Sequence, residues 1–338
     1  MTDTTGILDE ALTRLHGFGP EREGRLTNHA PMAVEALAAH GQSRAVHQWL
    51  DLYARKLEDL PAPFAPITDA DRETALGDPR RAADWIAYFR REIEERPWRE
   101  VLAEWWPRLL PGMYGGSTHP VIRVGHAVRA LEQGEATTPR LAELAHGLGY
   151  WAARHHPVTG LVELPGAATA ADALDAVVPI DDRTEGGFPA RLGRVRALPV
   201  GAGCVRSPDD ARRMLTELVE AATHRYATHG HGDEIMLVHA ATAPNAVLRA
   251  LPALPRELWA PSLRAAWTAS AAVTAMYAPD AAVAYEPRGT FAAEEVVELA
   301  LAHGDEHVIK LTDTALDVGG ERALAAALRA VELNEPLR

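Results

Sequence analysis

Cysteine is almost absent from this chain of 338 residues, where Cys204 stands alone. One thiol closes no internal disulfide and supplies no cysteine-rich zinc or iron–sulfur site. Long apolar runs are missing too. No stretch of about 18 residues is free of charge, which argues against a membrane-spanning helix. The opening residues, Met1-Thr2-Asp3-Thr4-Thr5, lack the basic start and apolar run of a secretory leader, so a cytoplasmic location is expected. Positive charge is scarce, with 34 Lys and Arg against 47 Asp and Glu and a formal net charge of −13. Such a surface repels phosphate backbones, so the expected partner is a small molecule and not a nucleic acid or a membrane. Self-association into a homo-oligomer is left open. Lysine is the scarcest cation, found only at Lys56 and Lys310. An amine can lose its proton and act as a nucleophile, whereas a guanidinium effectively cannot. A lysine kept in an arginine-rich chain therefore draws notice.

Several chemistries lack their motif. No glycine-rich phosphate cradle follows a strand, and Gly112-Met113-Tyr114-Gly115-Gly116 has no P-loop lysine. No Gly-x-Ser-x-Gly elbow appears, and Cys204 has no nucleophile context.

What is present is helical. The hydrophobic fraction of 47% suits a real core, and apolar residues recur at spacings of three and four. The pattern predicts helices over 5–16, 31–39, 43–58, 69–76, 79–95, 97–109, 119–133, 139–154, 208–227, 262–277, 292–303 and 320–332. Thr27 or Asn28 is expected to cap the second of these, and Thr118 the helix that begins at His119. The expected architecture is all-α, a single large helical domain over 1–338, with 156–207 as an irregular insert or lid.

Fifteen histidines then stand out, since neutral imidazole is the commonest metal ligand. In His303-Gly304-Asp305-Glu306-His307-Val308-Ile309-Lys310, an unbroken helix would put His303, His307 and Lys310 on one face. His119 and His126 stand two turns apart on another helix. His29 lies at a helix entrance, and His239 lies in the apolar stretch Leu237 to Thr242, where a buried imidazole needs a hydrogen bond or a metal. Each cluster alone also reads as a core histidine or a solvated helix face. Thr228-His229-Gly230-His231-Gly232-Asp233-Glu234 is similar to the His-x-His-x-Asp-His motif of metallo-β-lactamase-type hydrolases. It ends in Glu234, however, and that fold needs strands this sequence does not offer, so a flexible loop is expected. Trp98, Trp105 and Trp106 read as core.

Taken in order, Asn28-His29, His119-Pro120-Val121-Ile122-Arg123-Val124-Gly125-His126, Val238-His239-Ala240-Ala241-Thr242 and Asp305-Glu306-His307-Val308-Ile309-Lys310 resemble the questin oxidase-like family. That family includes fungal enzymes of polyketide pathways that oxidatively open anthraquinone rings, once described as Baeyer–Villiger-type oxidases. The resemblance implies non-heme iron(II) held by His29, His119, His239 and His307, together with Lys310 carboxylated by CO2. Other divalent metals remain compatible, and NADPH as reductant is allowed although no site for it is visible. Fungal relatives tend to carry a second histidine where Arg123 stands and an aromatic residue where His126 stands. Arg123 is expected to bind a substrate anion or a nearby carboxylate, and His126 and His303 to carry protons, while Asp305 and Glu306 orient imidazoles. The function so implied is an O2-using oxidoreductase acting on an aromatic polyketide ring. The alternatives are a metal-dependent hydrolase and a non-catalytic helical binding protein.

Overall fold

The computed structural model describes residues 4–183, 185–201 and 203–337. It is 66% helical and otherwise holds only small sheets, so the all-α class holds. The chain divides into two compact units, one formed by Met1–Pro157 with Arg249–Pro255, the other by Val158–Leu248 with Arg256–Arg338.

In the first unit, helices Thr4–Leu15, Ala30–Ala39 and Ser43–Tyr53 pack on one another. Val46, Trp49, Leu50 and Tyr53 recur at helical spacing, and all four are buried. Helix Ala82–Glu95 lies along Thr138–Arg154, and both belong to an aromatic-rich core. There Trp85, Tyr88, Phe89 and Trp105 meet mostly edge to face, with centroids 5.0 to 5.8 Å apart. Burying each such side chain stabilises the fold by roughly 1.5–3 kcal/mol. Trp98, Trp105 and Trp106 are buried, as expected of core residues. Helix His119–Glu132 is buried from His119 to Leu131, and it packs on both Ala30–Ala39 and Thr138–Arg154. A helix buried all round has no solvent face for its charged side chains, so Arg123, His126 and Arg129 must find partners inside.

The second unit is organised on the 22-residue helix Pro208–His229, with Pro208 in its first turn and the Ser207 hydroxyl accepting from the Asp210 N–H. Trp259–Tyr277, Glu306–Val318 and Glu321–Leu333 pack against it. The 156–207 stretch contains more order than the sequence predicts. It holds short helices Ala170–Asp175 and Phe188–Leu192, and a parallel pair of strands, Val162–Leu164 and Ala197–Pro199.

Local differences have local causes. The helix begun at Ser43 ends at Tyr53 and tightens into a 3₁₀ turn, Ala54–Lys56, instead of running to 58. Thr118 does not cap its helix through its side chain, because its backbone lies in the left-handed region at φ 66°. The helix 292–303 is Ala293–His303, and a separate helix follows it, Glu306–Val318. No helix among the described residues is long and apolar enough to cross a membrane.

Candidate metal centre

The first unit brings two predicted ligands together. His29 stands where the chain enters the Ala30–Ala39 helix, held by the preceding residue: Asn28 Oδ1 accepts the Ala30 N–H at 3.0 Å, and Asn28 Nδ2 donates to the Gly19 carbonyl. His119 follows three successive left-handed residues, Gly116, Ser117 and Thr118. A β-branched residue rarely accepts that conformation, so strain is concentrated beside the imidazole. The turn brings the Gly116 carbonyl within 2.7 Å of His119 Nδ1. A carbonyl only accepts, so His119 carries its proton on Nδ1 and presents an Nε2 lone pair. That Nε2 lies 2.8 Å from His29 Nε2. Two ligands at right angles on one ion, each at about 2.0–2.1 Å, would stand about 3 Å apart. The pair is already close to ligating geometry.

The second unit holds the other three predicted ligands. His239 opens the helix His239–Ala250, fully buried. Pro244 in that helix has no N–H for the Ala240 carbonyl, and the Ser270 hydroxyl donates there instead at 2.7 Å. Asn245 Nδ2 donates to Asp317 Oδ2 at 2.9 Å and to Thr314 Oγ1 at 3.3 Å, tying this helix to Glu306–Val318. The His239 and His307 rings stand 5.8 Å apart between centroids. Lys310 lies one turn beyond His307 and is completely buried, and its Nζ has no hydrogen-bond partner among the described residues. Burial pulls its pKa from 10.5 down to about 7, against the opposing pull of Glu306 and Asp305. An unpartnered buried amine is costly to keep unless something is to be placed on it. Within the first unit, His29 and His119 fit a metal ion, both buried and each with a ring nitrogen to offer; within the second, His307 is buried and offers one as well.

His303 does not share the face of His307 and Lys310. Gly304, at φ 77°, ends its helix in the left-handed conformation that glycine adopts most readily, and Asp305 starts the next one. His303 Nε2 instead donates to the Asn334 carbonyl at 3.1 Å. Asp305 Oδ1 accepts the N–H groups of His307 and Val308 at 2.9 and 3.0 Å, and stands 3.8 Å from His307 Nδ1. Its first role is therefore that of a helix cap.

Arg123 and His126 lie in buried ionic networks. Arg123 Nε and Nη2 donate to Glu143 at 2.5 and 2.8 Å, a two-pronged pair sealed from water. His126 Nδ1 lies 2.6 Å from Glu35 Oε2, and Arg129 donates to both oxygens of Glu35. Sequence reasoning passed over Glu35 and Glu143. Glu35 has a legible signal, as the one acid within the otherwise apolar run Pro31 to Leu37.

Burial alone would raise both carboxyls, but Arg129 with His126, and Arg123 with His16, hold them near 2 instead of the usual 4.5. The unfolded chain then binds protons that the folded one refuses. The stability these pairs contribute is present above pH 4.5 and is lost as pH falls from there through about 2. The melting temperature should fall progressively below about pH 4.5; a melting temperature unchanged down to pH 2 would show that the pairs do not form.

The histidine–glycine loop is packed rather than open. A Cβ on Gly232 would lie 2.5 Å from the Tyr277 carbonyl, so only glycine fits there. Asp233 Oδ1 accepts the Met236 N–H at 2.8 Å. Among the described residues, His229, His231 and Asp233 do not gather as a ligand group.

Comparison with curated proteins and with solved structures gives no significant match. The family model described as Questin oxidase-like matches residues 26–179, a stretch that contains His29, His119, Arg123 and His126 and stops short of His239, His307 and Lys310, and the match supports the family resemblance carried by the histidine motifs.

Proposed function

We propose that this chain is a metal-dependent oxidoreductase in which His29, His119, His239, His307 and Lys310 bind one iron(II) ion, and which uses O2 to oxidise or open the ring of an aromatic, anthraquinone-like polyketide. The observation that carries the reading is the His29–His119 pair, two buried Nε2 atoms 2.8 Å apart with His119 oriented by the Gly116 carbonyl. The family whose model matches residues 26–179 is named for an oxidase, which supports an oxidoreductase over other metal enzymes.

Bound by nitrogen donors and one carbamate oxygen, iron(II) would supply the electron-transfer chemistry that O2 needs and that side chains lack. The protein's own contribution is positional and electrostatic. The neutral Lys310 amine would attack the carbon of CO2: the nitrogen lone pair forms the N–C bond, one C=O π bond breaks onto oxygen, and an N–H proton is released to solvent, so that an anionic carbamate oxygen would be available as a ligand. The complete burial of Lys310 keeps that amine out of water. The imidazoles present nitrogen lone pairs, set for His119 by the hydrogen bond on its far nitrogen. On the His119–Glu132 helix, His126, paired with Glu35, is the proton carrier of this reading.

The test is oxygen consumption by the iron-loaded chain with hydroxylated anthraquinones. The proposal expects O2 uptake coupled to loss of the quinone chromophore. Substrate hydrolysis without O2 uptake would contradict it. Asp233→Ala separates the two chemistries further. Because Asp233 accepts the Met236 N–H and so closes a turn, the variant should keep its rate within a factor of about two. A collapse in rate would favour hydrolysis.

A further inference from the structure

His29 has two ring nitrogens, each facing a partner that constrains its proton. Nε2 faces His119 Nε2 at 2.8 Å, and Nδ1 faces the Tyr53 hydroxyl at 3.3 Å. His119 already presents a lone pair at Nε2, because its proton is committed to the Gly116 carbonyl. With no cation present, a neutral His29 must therefore hold its proton on Nε2, donating it to His119, while Nδ1 accepts from the Tyr53 O–H. With a cation between the two Nε2 atoms, both must offer lone pairs. The His29 proton then has to sit on Nδ1, where it needs an acceptor.

A phenol hydroxyl is the partner that meets both needs, since it donates and accepts and its hydrogen rotates. Tyr53 is completely buried, and its ring is stacked on Trp49 at 4.8 Å with an interplanar angle of 14°. Its oxygen also receives the His29 backbone N–H at 3.3 Å, so the hydroxyl is fixed to His29 at two points. We propose that Tyr53 is a positioning residue that lets His29 change tautomer when a metal enters, freeing Nε2 for the ion without stranding a buried N–H. This rests on the reading of His29 and His119 as metal ligands.

The experiment uses the full chain labelled with ¹⁵N-histidine and zinc(II), a diamagnetic probe. Long-range ¹H–¹⁵N spectra should show His29 protonated at Nε2 in the metal-free chain and at Nδ1 after zinc is added. Tyr53→Phe should weaken zinc binding about 10–100-fold, the usual cost of losing a partner behind a ligating histidine. A His29 already protonated at Nδ1 before zinc, or Tyr53→Phe binding zinc as tightly as the parent, overturns the switch and leaves the metal site standing. A parent chain that binds no zinc overturns both.

Discussion

Replacing Lys310 by arginine is expected to empty the metal site as thoroughly as replacing it by alanine. Arginine keeps the positive charge and much of the length, so a lysine that merely balanced charge would tolerate the change. A guanidinium does not lose its proton at neutral pH and cannot add CO2. Burial draws the pKa of the Lys310 amine down to about 7, so a substantial share of it is the neutral nucleophile at neutral pH. Both variants should lower metal affinity at least about 10–100-fold, since an anionic ligand is lost outright. Lys310→Ala should keep its helical content, because alanine is the best helix former and the side chain removed makes no hydrogen bond. Metal analysis with circular dichroism reads both effects, and a carbamate signal from ¹³C-bicarbonate in the parent alone would identify the modification. Full metal occupancy in Lys310→Arg would rule the carbamate out.

Glu143→Ala should cost about 3–5 kcal/mol of stability, because it strands the fully buried Arg123 guanidinium without its carboxylate. The double variant Arg123→Met with Glu143→Leu should recover most of that loss, since a well-packed apolar pair replaces an ion pair with little penalty. Urea denaturation of both variants measures the difference. If the double variant were as unstable as Glu143→Ala, packing and not charge would explain the loss. If Glu143→Ala were neutral, Arg123 would not depend on Glu143, and an anionic substrate group would become its natural partner.

The helices were largely legible from the spacing of apolar residues, because burial of one face repeats every three or four positions. Val46, Trp49, Leu50 and Tyr53 show this directly. The His119 turn was not legible. Proline after His119 announced a helix start, but a threonine at φ 66° runs against local preference and is imposed by the surrounding fold. Gly304 is a visible stop signal and the predicted helix ends at His303, yet the i, i+4 spacing of His303 and His307 suggested a shared face across it; a glycine in the left-handed region breaks that face, and the following helix, Glu306–Val318, was not predicted. The partners of the histidines were hidden for a different reason. Tyr53 reads as one more apolar-face residue, and nothing local links its hydroxyl to His29. Glu35 and His126 are likewise joined only by helix packing. The two-strand pair in 156–207 went unseen because strands of three residues leave no period to detect.

The most direct test of the central claim is the metal content of the purified parent beside His29→Ala and His307→Ala, all produced with added iron and bicarbonate. One proposed ligand is taken from each structural unit, so the two variants test whether both sets of residues serve the same ion. The account predicts one iron per chain in the parent and almost none in either variant. A metal-free parent, or a loss confined to one of the two variants, would contradict it.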